Sequence, residues 1–224
     1  MFRLQFKYSK QGILRFLSHL EVARALERAL RRAELPLIFS QGFSPHLRIS
    51  YGPALSVGVA SRAEHADVLL DTRIKVSDFV SAMKKALPPG LEVLEARYVD
   101  RAAPSLQSQI GLAAYEVEVE FLHLPEALQE RVDGFLRQKE IMVAKKEGGP
   151  SRDVLSQIHH FKVLSQEGKV VRFQMGIKDM EKGAVKPEVV IKALAQFCES
   201  GVEIVYIERT GLFVCEEDSV RELW

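Results

Sequence analysis

The segment Phe2-Arg3-Leu4-Gln5-Phe6-Lys7-Tyr8, followed by Ser18-His19-Leu20-Glu21, determines how the first half of the chain is expected to fold. Alternation of apolar and polar residues with a period of two predicts a half-buried β-strand. A serine followed three residues later by a glutamate forms a capping box, so a helix is expected to begin at Ser18. Apolar residues then recur at helical spacing up to Pro36, and the opposite side of the helix carries Arg24, Arg28, Arg31 and Arg32.

Strand and helix signals continue in the same way to residue 99. Two strand-like runs precede a helix that Ser77 is expected to cap and that Pro88 ends, and a final strand follows. The three strand-like runs are residues 54–59, 67–71 and 91–99. The predicted order is β-α-β-β-α-β, which is the order of a ferredoxin-like module, here over residues 1–104.

A second module is predicted after a linker. Residues 100–109 lack periodicity, and from Tyr115 to Phe121 apolar side chains alternate with glutamates. Pro125 and Pro187 are each expected to open a helix. We therefore predict an α+β fold of two tandem ferredoxin-like modules, a basic one at 1–104 and an acidic one at 110–224. A single mixed α+β domain is the alternative.

The charge of the chain is unevenly distributed. Residues 1–62 carry ten basic and three acidic side chains, which leaves 21 basic against 27 acidic for the remainder and a net charge of +1. Such asymmetry favours a protein that binds a polyanion through one basic face. A solvated helix face is the competing interpretation of the same arginines.

Several function classes lack the residues they need. No apolar run reaches the roughly 18 residues of a membrane span, and the N-terminus lacks the apolar stretch of a signal peptide, so no membrane contact and a cytoplasmic location are expected. Cys198 and Cys215 show no C-x-x-C spacing, and no Walker, G-x-G-x-x-G, G-x-S-x-G or H-E-x-x-H motif occurs. His159 and His160 lie in a predicted strand, which would direct them to opposite faces. We expect no cofactor and no metal.

Residues 39–53 form a polar segment that combines aromatic rings with hydrogen-bond donors. Phe39, Phe43 and Tyr51 offer rings for stacking, and Gln41, His46 and Arg48 offer donors. This combination suits single-stranded RNA, whose unpaired bases stack and accept hydrogen bonds. The alternative is an ordered loop whose aromatic residues close the end of the module.

The chain resembles the uncharacterised radical-SAM-linked proteins, which occur alone or fused behind a radical S-adenosylmethionine enzyme. The matching text is residues 14–21, 25–33 and 39–50, with Glu21 where relatives often have aspartate. The resemblance implies a radical S-adenosylmethionine partner enzyme and points to RNA modification. With two cysteines the chain cannot supply the three closely spaced cysteines that such an enzyme's cluster needs.

The predicted function is an RNA-binding accessory protein that presents tRNA or rRNA to a radical S-adenosylmethionine modification enzyme. The predicted RNA-binding residues are Arg3, Lys7, Arg15, Arg24, Arg28, Arg31, Gln41, Phe43, His46, Arg48 and Tyr51. One alternative is a metal-independent endoribonuclease with His46 or His19 as its catalytic residue. Another is a protein-interaction module without RNA, which docks its partner through the acidic half.

Overall fold

The structure of the protein is a computed structural model that describes residues 1–144, 151–178, 183–216 and 219–223. The fold is mixed α/β, with a large mixed sheet and five α-helices among these residues. The chain divides into two compact units, residues 1–110 together with Leu223, and residues 111–222. None of the helices in the described ranges is long and apolar enough to span a bilayer.

The first unit contains four strands of the sheet in the order β4-β1-β3-β2, and each neighbouring pair is antiparallel. Two longer helices connect these strands, and a 3₁₀ helix (Gly12–Phe16) precedes the first of them. The elements are β1 (Phe2–Lys10), α1 (His19–Arg32), β2 (Ile49–Tyr51), β3 (Ala60–Leu70), α2 (Val76–Ala86), β4 (Leu91–Val99) and the short α3 (Leu106–Gln109).

The alternation in β1 separates two faces of the sheet. Leu4, Phe6 and Tyr8 are buried in the core with the apolar side of α1 and with Phe79 of α2, whose ring centroid lies 5.5 Å from that of Phe6. The buried residues of α1 are Val22, Ala23, Leu26, Ala29 and Leu30. The predicted amphipathic helix is therefore confirmed, since its apolar side contributes to this core.

The other face of β1 holds a buried polar network. Asp67 accepts hydrogen bonds from Nη2 and Nε of Arg3 at 2.6 and 3.0 Å and from Nε2 of Gln5 at 3.2 Å. Gln5 Oε1 in turn accepts from Nη2 of Arg97 at 3.1 Å. Gln5 and Asp67 are only 2% and 3% exposed. The network thus holds a charge pair away from water, where each partner depends on the other.

Two predictions for the first unit are wrong in their positions. Residues 54–59 are not a strand, because they end in a turn at Val57 and Gly58, where φ is +88° at the glycine. The strand in this region is the three-residue β2 inside the predicted loop, where it pairs with β3. The second helix has Lys75 as its N-cap instead of Ser77.

The segment predicted to be a linker is also partly structured. Ser105 caps α3 by accepting a hydrogen bond from the Ser108 amide at 3.2 Å, and Leu106 is fully buried. Nη2 of Arg3 donates to the Pro104 carbonyl at 3.0 Å, and Nη1 donates to that of Ala103. These contacts fix residues 103–106 within the first unit.

The second unit has the strand order β10-β5-β9-β8, with β11 on β10 and a separate two-stranded sheet of β6 and β7. Pro187 opens a helix as predicted, whereas the helix after Pro125 begins at Leu128 behind Ala127 in the left-handed conformation. The elements are β5 (Ile110–Phe121), α4 (Leu128–Leu136), β6 (Met142–Ala144), β7 (Ser151–Asp153), β8 (Ile158–Glu167), β9 (Val170–Lys178), α5 (Pro187–Phe197), β10 (Val202–Glu216) and β11 (Ser219–Glu222).

The capping box at Ser18 is confirmed. The Glu21 amide donates to Ser18 Oγ at 3.4 Å, and the Ser18 amide donates to the Glu21 carboxylate at 2.8 Å. The Ser18 hydroxyl also donates to this carboxylate at 2.7 Å, and the hydrogen bonds from the side chain and then the backbone of Ser18 lower the pKa of the Glu21 carboxyl. The helix that carries the outward arginines therefore begins at a defined residue.

Replacement of Ser18 by Ala is expected to cost about 1 kcal/mol of stability, because a first-turn amide loses its acceptor. The measurement is the urea midpoint of unfolding. Ser77→Ala is the matched control, since Ser77 is exposed within α2 and its hydroxyl donates to the neighbouring Asp78 carboxylate at 3.4 Å. Equal midpoints for the two variants would contradict the assignment of the cap.

Candidate nucleic-acid interface

Residues 38–48 form a hairpin loop that is anchored at its base and exposed at its tip. The base is held by an isolated bridge between Phe39 and Leu47. Hydrogen bonds of 2.7–3.0 Å also hold the base. The Ile38 amide donates to the Leu69 carbonyl, and the Arg48 amide donates to the Ile38 carbonyl. The Ser40 amide donates to the His46 carbonyl, and the His46 amide donates back to Ser40 Oγ. The tip, residues 41–45, is exposed throughout. The hairpin loop is thus a supported projection from the first unit.

Phe43 lies at the tip, and its side chain is fully exposed, with a relative accessibility of 110%. Its neighbour Gly42 has a φ of +126°, a value that other residues rarely adopt. The interpretation in which Phe43 closes the end of the module is therefore wrong. A phenyl ring on a supported loop instead presents both faces to an incoming ligand.

Three arginines of α1 form an exposed row, which we call the arginine ridge: Arg24, Arg28 and Arg31. The guanidinium carbon of Arg31 lies 4.7 Å from the ring centroid of Phe39, so the ridge contacts the base of the hairpin loop. Arg32 points elsewhere and donates to the Ala86 carbonyl at 2.7 Å. The ridge and the hairpin loop therefore belong to one surface of the first unit.

A second cation–aromatic pair lies before α1. The guanidinium carbon of Arg15 is 4.8 Å from the ring centroid of Phe16, which is 56% exposed. The backbone here is fixed, because Gly58 donates to the Arg15 carbonyl at 2.9 Å and Lys10 Nζ donates to the Leu17 carbonyl at 3.0 Å. Sequence analysis selected Arg15 but not Phe16. The signal that could have identified Phe16 is its position directly after Arg15, which allows the two side chains to stack.

Tyr51 and His19 pack against each other beside α1. Their ring centroids are 5.5 Å apart, and the Tyr51 hydroxyl donates to the Ala23 carbonyl at 3.3 Å. Burial, together with the nearby carboxylate of Glu27, raises the pKa of the Tyr51 phenol. Tyr51 therefore remains a neutral donor that ties β2 to α1, and its half-buried ring packs against His19.

Arg3 and Lys7 lie on a different face from the arginine ridge. Both alternate in β1 with the residues that pack under α1, so they are on the opposite side of the sheet. The Arg3 guanidinium is occupied by Asp67 and by backbone carbonyls, and Lys7 lies across from His65 and Glu95 in the register. The structure does not bring these two predicted residues together with the ridge.

Gln41, His46 and Arg48 are exposed on the hairpin loop, as a ligand-contacting role requires. Within the described ranges, no hydrogen bond joins the His46 imidazole to another side chain, and its backbone amide donates to Ser40 Oγ. A nuclease that cleaves through a 2′-hydroxyl needs a paired acid and base. The geometry of His46 therefore suits a contact with a ligand better than catalysis.

The prediction that His159 and His160 point to opposite faces of a strand is wrong. A register shift in β8 between Ile158 and His160 interrupts the regular alternation, and the two rings lie 5.7 Å apart instead of on opposite faces. Burial lowers the pKa of His160, and His159 adds to the effect. Among the described residues, no group of three or more His, Cys, Asp or Glu side chains is placed to hold a metal ion.

Two solved structures are similar to this chain in fold. One contains a chain of an H/ACA RNP bound to a substrate RNA containing 2′-deoxyuridine, with a TM-score of 0.53 and 14% identity over 94% of this chain and 47% of that one. The other is a Cbf5-Nop10-Gar1 complex, with a TM-score of 0.55 and 15% identity over 93% and 48%. The present chain thus spans about half the length of these solved chains.

No curated protein matches the sequence. A family model does match, over residues 3–187, and its description is "Uncharacterized protein conserved in bacteria (DUF2344)". The matched region includes the arginine ridge, the hairpin loop and most of the second unit. Since it covers most of the chain, the protein belongs to the uncharacterised bacterial family DUF2344.

Proposed function

We propose that the protein binds RNA through the arginine ridge and the hairpin loop. The observation that carries this proposal is the contact of Arg31 with Phe39, which places three exposed arginines beside a loop with a fully exposed phenylalanine at its tip. Arginines neutralise phosphates, and aromatic rings stack on unpaired bases. One surface therefore supplies both of the contacts that single-stranded RNA uses.

The fold supports the same proposal. We infer that both units are ferredoxin-like modules, because each has a β-α-β-β-α-β core whose strands take the order fourth, first, third, second. One of the solved chains with a similar fold comes from an H/ACA RNP bound to a substrate RNA. At 14–15% identity the likeness concerns the fold, so the residues of the ridge and the loop carry the functional argument.

We further propose that the bound RNA is tRNA or rRNA and that the protein presents it, in the cytoplasm, to a radical S-adenosylmethionine modification enzyme. This role rests on the resemblance of residues 14–50 to radical-SAM-linked proteins. The partner would supply the cofactor chemistry, and this chain would supply the grip on the RNA. A pull-down of the protein followed by sequencing of crosslinked RNA tests it, because the partner enzyme and one class of RNA should be recovered together.

Replacement of Arg24, Arg28 and Arg31 by Ala is expected to weaken RNA binding and to flatten its dependence on salt. Three lost phosphate contacts should reduce the slope of log affinity against log salt by about 2, at about 0.7 per contact on a single strand. Stability should change by less than about 0.5 kcal/mol per site, because the three side chains are exposed. The measurement is filter binding to bulk tRNA at several salt concentrations.

The matched control removes three positive charges from another helix of the same unit. Lys75, Lys84 and Lys85 are exposed on or beside α2, and their joint replacement by Ala changes the net charge by the same amount. If both triple variants lose the same affinity, binding reflects total charge and not the ridge. If wild-type protein shows no binding even in low salt, the proposed function is wrong.

A further inference from the structure

We infer that the RNA ligand is a single strand held at two points, one at each end of α1, and that the two points are the Arg31–Phe39 and Arg15–Phe16 pairs. This inference rests on the proposed function and specifies the class of RNA. In each pair a guanidinium lies 4.7–4.8 Å from the centroid of a ring that is itself partly exposed. A guanidinium stacked over one face of a phenyl ring leaves the opposite face of the ring as a surface on which a base can stack.

The side of α1 between the two pairs is continuous and exposed. Leu20, Arg24, Arg28 and Arg31 follow one another at spacings of four, four and three residues, which places them on one side of the helix. Leu20 is 66% exposed and the three arginines are exposed. A strand that runs along this side would therefore meet the arginines of the ridge and, in the first turn of α1, the apolar side chain of Leu20.

The backbone at both pairs is held in place by contacts within the first unit. Phe39 belongs to the anchored base of the hairpin loop, and the backbone of Arg15 is held by the hydrogen bond that the Gly58 amide donates to its carbonyl. A preformed site loses less conformational freedom on binding than a site that must be ordered by its ligand. The distance between the pairs is therefore a property of the protein, and it sets a minimum length for a ligand that reaches both.

That length follows from the geometry of the helix. The twelve residue-to-residue steps from His19 to Arg31 advance about 18 Å along the helix axis. A stacked strand advances about 3.4 Å per nucleotide, so about five nucleotide steps cover this length of α1, which lies between the two pairs in the chain. A trinucleotide can occupy one pair only, whereas a strand of nine or more nucleotides reaches both. A base-paired duplex has no free base faces for either pair and should bind less well.

The test is a titration of fluorescein-labelled oligouridylates of 3, 6, 9 and 12 nucleotides, and of a fully paired RNA hairpin, followed by fluorescence anisotropy at low salt. The inference predicts a steep rise in affinity between 3 and 9 nucleotides and little gain afterwards. Phe16→Ala should lower the affinity for the 12-mer about five- to twentyfold, in the lower part of the range for stacked bases. For the trinucleotide the loss should not exceed about twofold, because one of two equivalent pairs remains.

Phe16→Leu is the matched control, since it keeps an apolar side chain of similar size but removes the flat ring. It should lose nearly as much 12-mer affinity as Phe16→Ala. A thermal unfolding curve for both variants checks that the fold is intact, as expected for a half-exposed side chain.

The possible outcomes separate this inference from the proposed function. If all RNAs bind but affinity does not depend on length, or if the paired hairpin binds as well as the 12-mer, the two-point arrangement is overturned and RNA binding stands. If Phe16→Leu retains wild-type affinity, the surface around Phe16 makes an apolar contact instead of stacking, and the inference is again overturned. If no oligonucleotide and no bulk tRNA binds at low salt, the proposed function fails as well.

Discussion

Replacement of Asp67 by Ala is expected to destabilise the first unit by about 3–5 kcal/mol, the cost of breaking a buried ion pair by removing one partner. The Asp67 side chain is 3% exposed and that of Arg3 is 10% exposed. Without the carboxylate, the Arg3 guanidinium stays in place through the carbonyls of Ala103 and Pro104 but lacks a counter-charge. Gln5 loses an acceptor in the same step. The measurement is the free energy of unfolding from urea denaturation.

Two further variants make this result specific. Asp67→Asn retains the shape and an acceptor for Gln5, so it isolates the loss of charge and should destabilise less than Asp67→Ala. Glu118→Ala breaks the ion pair with Arg172 in the second unit, where the two side chains are 27% and 51% exposed. An exposed pair contributes little to stability, so this variant should unfold near the wild-type midpoint. Equal losses for Asp67→Ala and Glu118→Ala would contradict the buried network.

Replacement of Phe43 by Ala is expected to reduce RNA affinity by about 1–3 kcal/mol, a five- to 150-fold increase in Kd, if its ring stacks on a base. Stability should hardly change, because the fully exposed ring contributes nothing to the core. Anisotropy with a single-stranded RNA and a parallel denaturation curve give the two quantities. Because Phe43 is fully exposed, its replacement tests ligand binding without a change in stability.

The contrasting variant is Phe79→Ala, which removes an equal ring from the core of the same unit. Phe79 is fully buried, so its loss should cost about 3–5 kcal/mol of stability. It therefore shows how large a stability change the denaturation assay registers for a phenylalanine. Unchanged RNA affinity for Phe43→Ala would remove the tip of the hairpin loop from the proposed interface.

Features that depend on neighbours in the sequence were predictable. The capping box at Ser18 and the apolar side of α1 need only residues within a few positions of one another, and the structure confirms both. The alternation in β1 likewise predicted which residues face the core. It did not predict that the other face would be covered, because the residues that cover it, such as Ala103 and Pro104, are about one hundred positions away.

Features that depend on distant pairing were not predictable. Residues 54–59 have the composition of a strand, but the strand in this region is β2, and β2 exists because Ile49 and Tyr51 find partners in β3. The contact between Arg31 and Phe39 likewise requires the chain to return alongside α1. Sequence analysis selected most residues of the candidate interface by type, while their division between two faces of the sheet came only from the structure.

The anchoring of the hairpin loop at its base separates the stability of the protein from the ligand preference of the proposed interface. Residues 41–45 lie beyond the last cross-loop hydrogen bond, between Ser40 and His46, and all five are exposed. A different set of side chains there would leave the core unchanged, provided that position 42 stays glycine for its positive φ. If the tip contacts bases as we propose, members of a protein family built this way can diverge in the bases they select by exchanging a few residues of the tip, and the same segment offers a place to redesign recognition.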